Sequence, residues 1–236
     1  MNRRLLLLSN STNHGSGYLD HAMDAIRTHL GGVRRLLFIP FALQDRRGYT
    51  QRVRERFAAE GVSVEGLEPR SEEIRLVETA EAVFVGGGNT FRLLDLLQRA
   101  GFMETLQERA LGGMPFLGTS AGTNIAAPTI RTTNDMPIVE PESLDALGLV
   151  PFQINPHYLD PDPTSTHMGE TREQRLVEYL EENDRPVVAL REGGWLRVVG
   201  PESIVEGPRP ARIFRRGEAP VEAVPGTDVS ALLAID

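Results

Sequence analysis

The sequence predicts an α/β protein, a three-layer sandwich in which a mostly parallel sheet is covered by helices on both faces. Three observations carry that expectation. Apolar runs of strand length alternate with helix-period segments through the N-terminal half, the pattern of parallel βαβ units. Runs such as LLLL at 5–8 and LLFI at 36–39 lack the polar alternation of a half-exposed sheet, so these strands are buried on both faces. Glycine-rich turns then close two of the runs, at the strand ends where parallel sheets bind ligands.

Element by element, residues 4–9 predict the first strand. Basic residues precede the leucines, as in a secretory signal, but the apolar run covers only 5–8, whereas a secretory core takes about 7–15 residues. Further strands are expected at 35–40, 62–67, 82–85 and 114–117. Helical periodicity falls between them at 19–30, 51–60, 72–80 and 91–100, with another helix at 103–110. Beyond residue 120 the pattern loosens: strands at 149–154 and 186–190 are separated by a helix at 170–182. From Trp195 onward, short β-like runs broken by Gly and Pro predict hairpins at the edge of the same domain. No repeat, low-complexity tract or long linker divides the chain, so residues 1–236 are read as a single domain.

Composition removes several classes of function. The 236 residues are 40% apolar, enough for a sizeable core. A net charge of −8 argues against nucleic acid, which requires a basic face. The chain has no cysteine, which excludes thiol catalysis, disulfides and thiolate metal sites. All 25 basic residues are arginine, which excludes a lysine base. No segment reaches the ~20 apolar residues needed to cross a bilayer, so a cytoplasmic protein without membrane contact is expected.

The chemistry concentrates at two glycine turns. Gly118-Thr119-Ser120-Ala121-Gly122 fits G-x-S-x-G, the nucleophile elbow, in which small residues let strand and helix pass closely while the serine hydroxyl projects above the strand end. The following helix N-terminus offers free N–H groups and a positive dipole to a developing oxyanion. A plain turn with a structural serine is the simpler reading. The second turn, Gly86-Gly87-Gly88-Asn89-Thr90, lets backbone approach a ligand and is a candidate second half of an oxyanion hole. Neither nucleotide fingerprint, G-x-x-x-x-G-K-[ST] nor G-x-G-x-x-G, occurs. Asn89 or Thr90 is expected to cap the next helix, and Asn89 is also a candidate substrate-binding residue.

A serine nucleophile needs a base. Of five histidines, His14 lies in a polar loop, His21 and His29 share a helix pattern and His167 sits in a Pro/Thr/Ser-rich loop. His157 follows the run at 149–154 through Asn155-Pro156, which puts it just past a strand end on the expected active edge. Asp135, Asp160 and Glu192 are candidate acids for orienting the imidazole, and spacing does not choose among them. Arg172 opens the predicted helix at 170–182, where it opposes the dipole. That misfit suggests a bidentate carboxylate clamp, against the simpler reading of a surface arginine paired with a neighbouring glutamate.

With these residues in place, the sequence resembles the peptidase E family, the α-aspartyl dipeptidases of the serine class. The resemblance rests on LLLLSNST, FIPFA, VGGGNTF, SAGTNIA, PTIRTTNDMPIV, DALGLVPFQINPH, GETREQR and EGGW, which run in family order from residue 5 to residue 195. It implies a fold similar to class I glutamine amidotransferases. It also implies hydrolysis of dipeptides with N-terminal aspartate, Asp-X, without a metal, and no cofactor is expected; the working unit is expected to be a monomer or homodimer, which the sequence does not decide between. Carried onto this chain, Ser120 is the nucleophile and His157 the base; the glycine turn and helix start read above then make Gly87, Gly88 and Ala121 the expected oxyanion donors. Arg172 takes the aspartyl side chain. The acid stays open between Asp135 and Glu192. An α/β-hydrolase esterase, a non-catalytic binder of acidic peptides and a hydrolase of other aspartyl substrates are the rival readings.

Overall fold

A computed structural model describes residues 2–164, 166 and 168–235. The alternation resolves into β1 (Arg4–Leu8), α1 (Met23–Leu30), β2 (Arg35–Ile39), α2 (Arg46–Ala58), β3 (Ser63–Gly66), α3 (Ile74–Thr79), β4 (Ala82–Val85), α4 (Thr90–Arg99), α5 (Met103–Leu111), β5 (Pro115–Thr119) and α6 (Ala121–Asn124). The C-terminal part adds β6 (Gln153–Tyr158), α7 (Arg172–Glu182), β7 (Val187–Arg191), β8 (Trp195–Val199), β9 (Glu202–Glu206), β10 (Ala211–Phe214) and β11 (Val221–Ala223).

The strands form two sheets. The larger has seven strands in the order β3-β2-β4-β5-β1-β8-β9. β3, β2, β4, β5 and β1 run parallel, and the β8–β9 hairpin adds antiparallel at the β1 edge, as the C-terminal pattern predicts. The smaller sheet has the order β11-β10-β7-β6, with β6 and β7 parallel and β10 and β11 antiparallel. The second expected hairpin therefore extends this smaller sheet.

The unbroken apolar runs have the predicted cause. Side chains alternate across a strand, and here both faces are covered. Leu5, Leu7, Leu37, Ile39, Val83, Val85 and Phe116 face one core with Leu93, Leu97 and Leu106 of α4 and α5. Leu6, Leu8, Leu36, Phe38, Ala82, Phe84 and Leu117 face a second core with Met23, Ile26, Val53 and Phe57 of α1 and α2. The four leucines of β1 are fully buried, and truncating any one of them to alanine is expected to cost about 2–5 kcal/mol. The smaller sheet lays Ile154, Val188, Leu190 and Ile213 against the first of these cores. Its outer face, with Tyr158, Val187, Ala189 and Phe214, is covered by Leu176 and Leu180 of α7.

One boundary differs in a way that matters. The strand expected at 149–154 begins later and runs through His157, so the histidine lies inside the strand rather than past its end. Pro156 is tolerated there because β6 is the edge strand of its sheet, where a missing N–H breaks no ladder. Among the described residues no helix is long and apolar enough to cross a membrane.

Candidate active site

The C-terminal ends of β1, β4 and β5 lie side by side, with Leu8 opposite Thr119 and Val85 opposite Gly118. At the end of β5 the chain turns so sharply that Ser120 has φ 52° and ψ −111°, a conformation that costs an L-residue about 1–3 kcal/mol. The two elbow glycines are required by contact. A Cβ at Gly118 would stand 2.6 Å from the Gly122 carbonyl oxygen, and one at Gly122 would stand 2.0 Å from that of Val85. The turn is pinned to β1: the Ser120 amide donates to the Leu8 carbonyl at 3.1 Å, and the Thr123 hydroxyl donates to the same oxygen at 2.6 Å.

His157 reaches the elbow from the other sheet. Pairing of β6 with β7 shifts register between Asn155 and Tyr158, and in that bulge His157 has φ 55°. Its N–H donates to Ser9 Oγ at 2.9 Å, and the Ser9 hydroxyl donates to the Leu190 carbonyl at 2.8 Å. The imidazole Nε2 lies 3.0 Å from Ser120 Oγ, and Nδ1 lies 2.7 Å from Glu192 Oε1. An ionised carboxylate only accepts, so Nδ1 carries the proton and Nε2 is left to accept from the Ser120 hydroxyl. The only non-glycine residues with positive φ among those described are Leu19, Ser120 and His157. Two of the three are thus the residues that meet here, and backbone strain of this kind clusters at functional sites.

The profile of peptidase family S51 matches residues 5–205. The chain belongs to peptidase family S51. It is 58% identical over 231 residues to "Peptidase E" of Streptomyces coelicolor, covering 98% of this chain and 95% of that protein. It is 45% identical to the Drosophila melanogaster protein named "Probable alpha-aspartyl dipeptidase", covering 98% of each, and 44% identical to "Peptidase E" of Salmonella typhimurium, covering 92% and 96%. Its backbone is similar to the crystal structure of a peptidase from an acI-B1 Actinobacterium, with TM-score 0.73 and 17% identity over 97% of each chain. The fold is the class I glutamine amidotransferase-like one that the resemblance implied.

In this S51 chain the remaining predicted residues divide. Asp135 bonds at a helix start: its Oδ2 accepts from the Thr90 amide at 2.7 Å, the Thr90 hydroxyl at 2.6 Å and the Thr133 hydroxyl at 3.3 Å. The hydrogen bond to Nδ1 of His157 belongs to Glu192 instead. Asp160 is taken by Arg191. Arg172 is the first residue of α7, and a capping box of Thr171 and Gln174 fixes that helix start. Burial and the nearby Arg175 charge push the Arg172 pKa down, while Asp135 pulls it back up. Arg172 and Asp135 are therefore close enough to feel each other's charge.

The glycine turn carries a correction. The Gly87 amide donates to Tyr49 Oη at 2.9 Å, so it is not free to bind an oxyanion. Among the described residues, the amides of Gly88 and Ala121 have no acceptor within the chain. Asn89 is likewise engaged at both polar ends, its Oδ1 accepting from the Arg92 amide at 3.0 Å and its Nδ2 donating to the Met136 carbonyl at 2.8 Å. It caps α4 and holds the Asp135 loop in place, and its second amide N–H is not used by either bond. Among the other histidines, His14 lines a cleft beside Glu192. His21 packs near Trp195, and His29 is buried with its pKa pushed down to about 4 by desolvation. His167 lies outside the described residues.

Three residues at the site gave no signal of a role in the sequence. Ser9 stands in a segment that carried the family resemblance, yet nothing local marks it as the acceptor for His157. Tyr49 lies in the first turns of α2, and its ring packs under the glycine turn, where a Cβ on Gly86 would meet it at 2.7 Å. Arg191 lies next to Glu192 and is buried.

Proposed function

We propose that this chain is a serine hydrolase that cleaves Asp-X dipeptides through an acyl-enzyme, with Ser120 as nucleophile, His157 as base and Glu192 as acid. The observation that carries the reading is the continuous line from Ser120 Oγ to Nε2 of His157, 3.0 Å, and from Nδ1 to Glu192, 2.7 Å. The relatives named peptidase E and alpha-aspartyl dipeptidase supply the substrate class.

The chemistry follows from the proton positions. Nε2 of His157 takes the Ser120 proton as Oγ attacks the aspartyl carbonyl carbon. The oxyanion accepts hydrogen bonds from the Gly88 and Ala121 amides, aided by the start of α6. His157 then gives the proton to the leaving amine as the C–N bond breaks. Water, deprotonated by the same imidazole, hydrolyses the ester and returns Ser120. Glu192 holds the tautomer and stabilises the imidazolium.

Specificity comes from Arg172 and Asp135, which feel each other's charge. Arg172 pairs with the aspartyl side-chain carboxylate. Asp135 pairs with the substrate's free α-amine, the role left to it once Glu192 holds the imidazole. Requiring that amine next to the scissile bond restricts cleavage to short peptides with a free N-terminus. The working unit is a monomer or homodimer in the cytoplasm. The order Ser120, His157, Glu192 is the reverse of the acid-then-histidine order of α/β-hydrolase esterases, which counts against that rival.

A panel of Asp-Leu, Asn-Leu, β-Asp-Leu, N-acetyl-Asp-Leu and a simple aryl ester, run on the parent and on Arg172→Ala, tests this. The parent is expected to cleave Asp-Leu best. It should disfavour Asn-Leu by about 2–5 kcal/mol, roughly 30-fold or more, because the neutral side chain leaves a guanidinium unpaired. Arg172→Ala is expected to erase most of that preference. Equal rates on Asp-Leu and Asn-Leu, or a better rate on the ester, would overturn the assignment.

A further inference from the structure

Immediately behind the His157–Glu192 pair stands a group that the mechanism does not use. Arg191 ends β7, precedes Glu192 in the chain, and pairs across the sheet with Tyr158, the residue after His157. Its side chain is only 9% exposed. All five of its N–H bonds are used. Nε donates to Asp160 Oδ2 at 2.7 Å and Nη2 to Asp160 Oδ1 at 2.6 Å. Nη1 and Nη2 each donate to Glu222 at 2.9 Å, and Nη1 also to the Pro210 carbonyl at 3.0 Å. The guanidinium carbon lies 5.5 Å from the centroid of the Tyr158 ring.

These partners belong to three separate segments. Asp160 follows His157 by three positions, Glu222 lies on β11 and Pro210 precedes β10. The backbone ladder alone does not fix His157, because the register shift between Asn155 and Tyr158 interrupts it there. A buried guanidinium with half-exposed carboxylate partners is also weak evidence for stability, since apolar residues of similar volume often serve as well. Its place beside a bulge that carries the base points to a role in setting geometry.

We propose that Arg191, clamped by Asp160 and Glu222, is the positioning residue that fixes the His157 bulge against the Glu192 strand end. The clamp brings the C-terminal hairpin into the site, for Glu222 lies beyond the 5–205 segment matched by the family profile. This inference rests on the function proposed above.

The clamp also sets the local charge. Arg191 and Arg212 face Asp160, Glu173 and Glu222. Asp160, Arg191 and Glu192 line one cleft of about 300 Å³ together with His14 and Arg209. Directly on the imidazole are Glu192 and Ser120. Removing the cation leaves two carboxylates to favour the imidazolium, whereas neutralising Glu222 does the opposite.

The test measures kcat and KM on Asp-Leu, the pH dependence of kcat/KM, and Tm, for Arg191→Lys, Arg191→Met and Glu222→Gln. Arg191→Lys keeps the charge but loses the bidentate contacts, and is expected to lower kcat about 30-fold with KM within threefold. Arg191→Met should also move the acid limb of the pH profile upward. Glu222→Gln, a nearly isosteric change at a half-exposed residue of the edge strand β11, should move the limb downward and lower kcat several-fold. The His157 imidazole, followed by NMR in the parent and in Glu222→Gln, reads the same shift without any substrate. If Asp-Leu is not cleaved but the NMR shift appears, the clamp stands and the substrate reading falls. An unmoved imidazole titration, or variants that lose Tm while kcat per folded site stays at the parent value, would overturn the clamp.

Discussion

The corner that holds Ser120 and the corner that holds His157 are built on different principles. Ser120 is fixed by exclusion: β4, β5 and α6 pass so closely that only glycine fits at 118 and 122. His157 is fixed by polar attachment. Its strand is bulged, its sheet is the smaller one, and it is held by the Ser9 hydroxyl in front and by a network of charged side chains behind. Both residues pay a positive φ, one enforced by packing and the other by hydrogen bonds. Errors at the first corner should therefore be all-or-none, and errors at the second graded.

The largest expected effect tests the packed corner. Gly122→Ala drives a methyl group into the Val85 carbonyl. It is expected to cost about 3 kcal/mol or more and to abolish Asp-Leu hydrolysis, which thermal unfolding and an activity assay will show. A folded, active Gly122→Ala protein would break the comparison. The next effect separates the two carboxylates. Glu192→Gln is expected to lower kcat about 10- to 100-fold, because the half-exposed acid holds the tautomer from a position open to solvent. Asp135→Asn is expected to act mainly on KM, so steady-state kinetics on both variants will divide tautomer control from amine binding. The smallest effect sharpens the graded corner. Ser9→Ala leaves the His157 N–H and the Leu190 carbonyl without their partner, at about 1–3 kcal/mol of stability, and should lower kcat about tenfold with KM nearly unchanged. A kcat equal to that of the parent would mean that the bulge needs no support from β1.

The same contrast explains what was legible in the sequence. Unbroken apolar runs report two-sided burial directly, so the parallel strands and their covering helices could be placed from pattern alone. The elbow was legible for the same reason, since close approach requires glycine and glycine is visible. The smaller sheet was harder to read. β6 carries Asn155, Pro156 and His157 within it, and its boundary was misplaced because proline normally ends a strand, an exception that only an edge position permits. The acid was ambiguous because a carboxylate serves equally well from any loop, and only coordinates put Glu192 on Nδ1 and Asp135 on Thr90. Gly87 was a reasonable donor until Tyr49, thirty-eight positions away, proved to occupy its amide. Contacts between side chains distant in sequence leave no periodicity to detect.

The central claim is that the Ser120 hydroxyl, activated by His157, attacks the peptide carbonyl. The direct measurement is kcat on Asp-Leu for Ser120→Ala, with circular dichroism to confirm the parent fold. The account predicts an intact fold and a kcat lower by about 10⁴-fold or more, whereas cleavage by Ser120→Ala at the parent rate would contradict it.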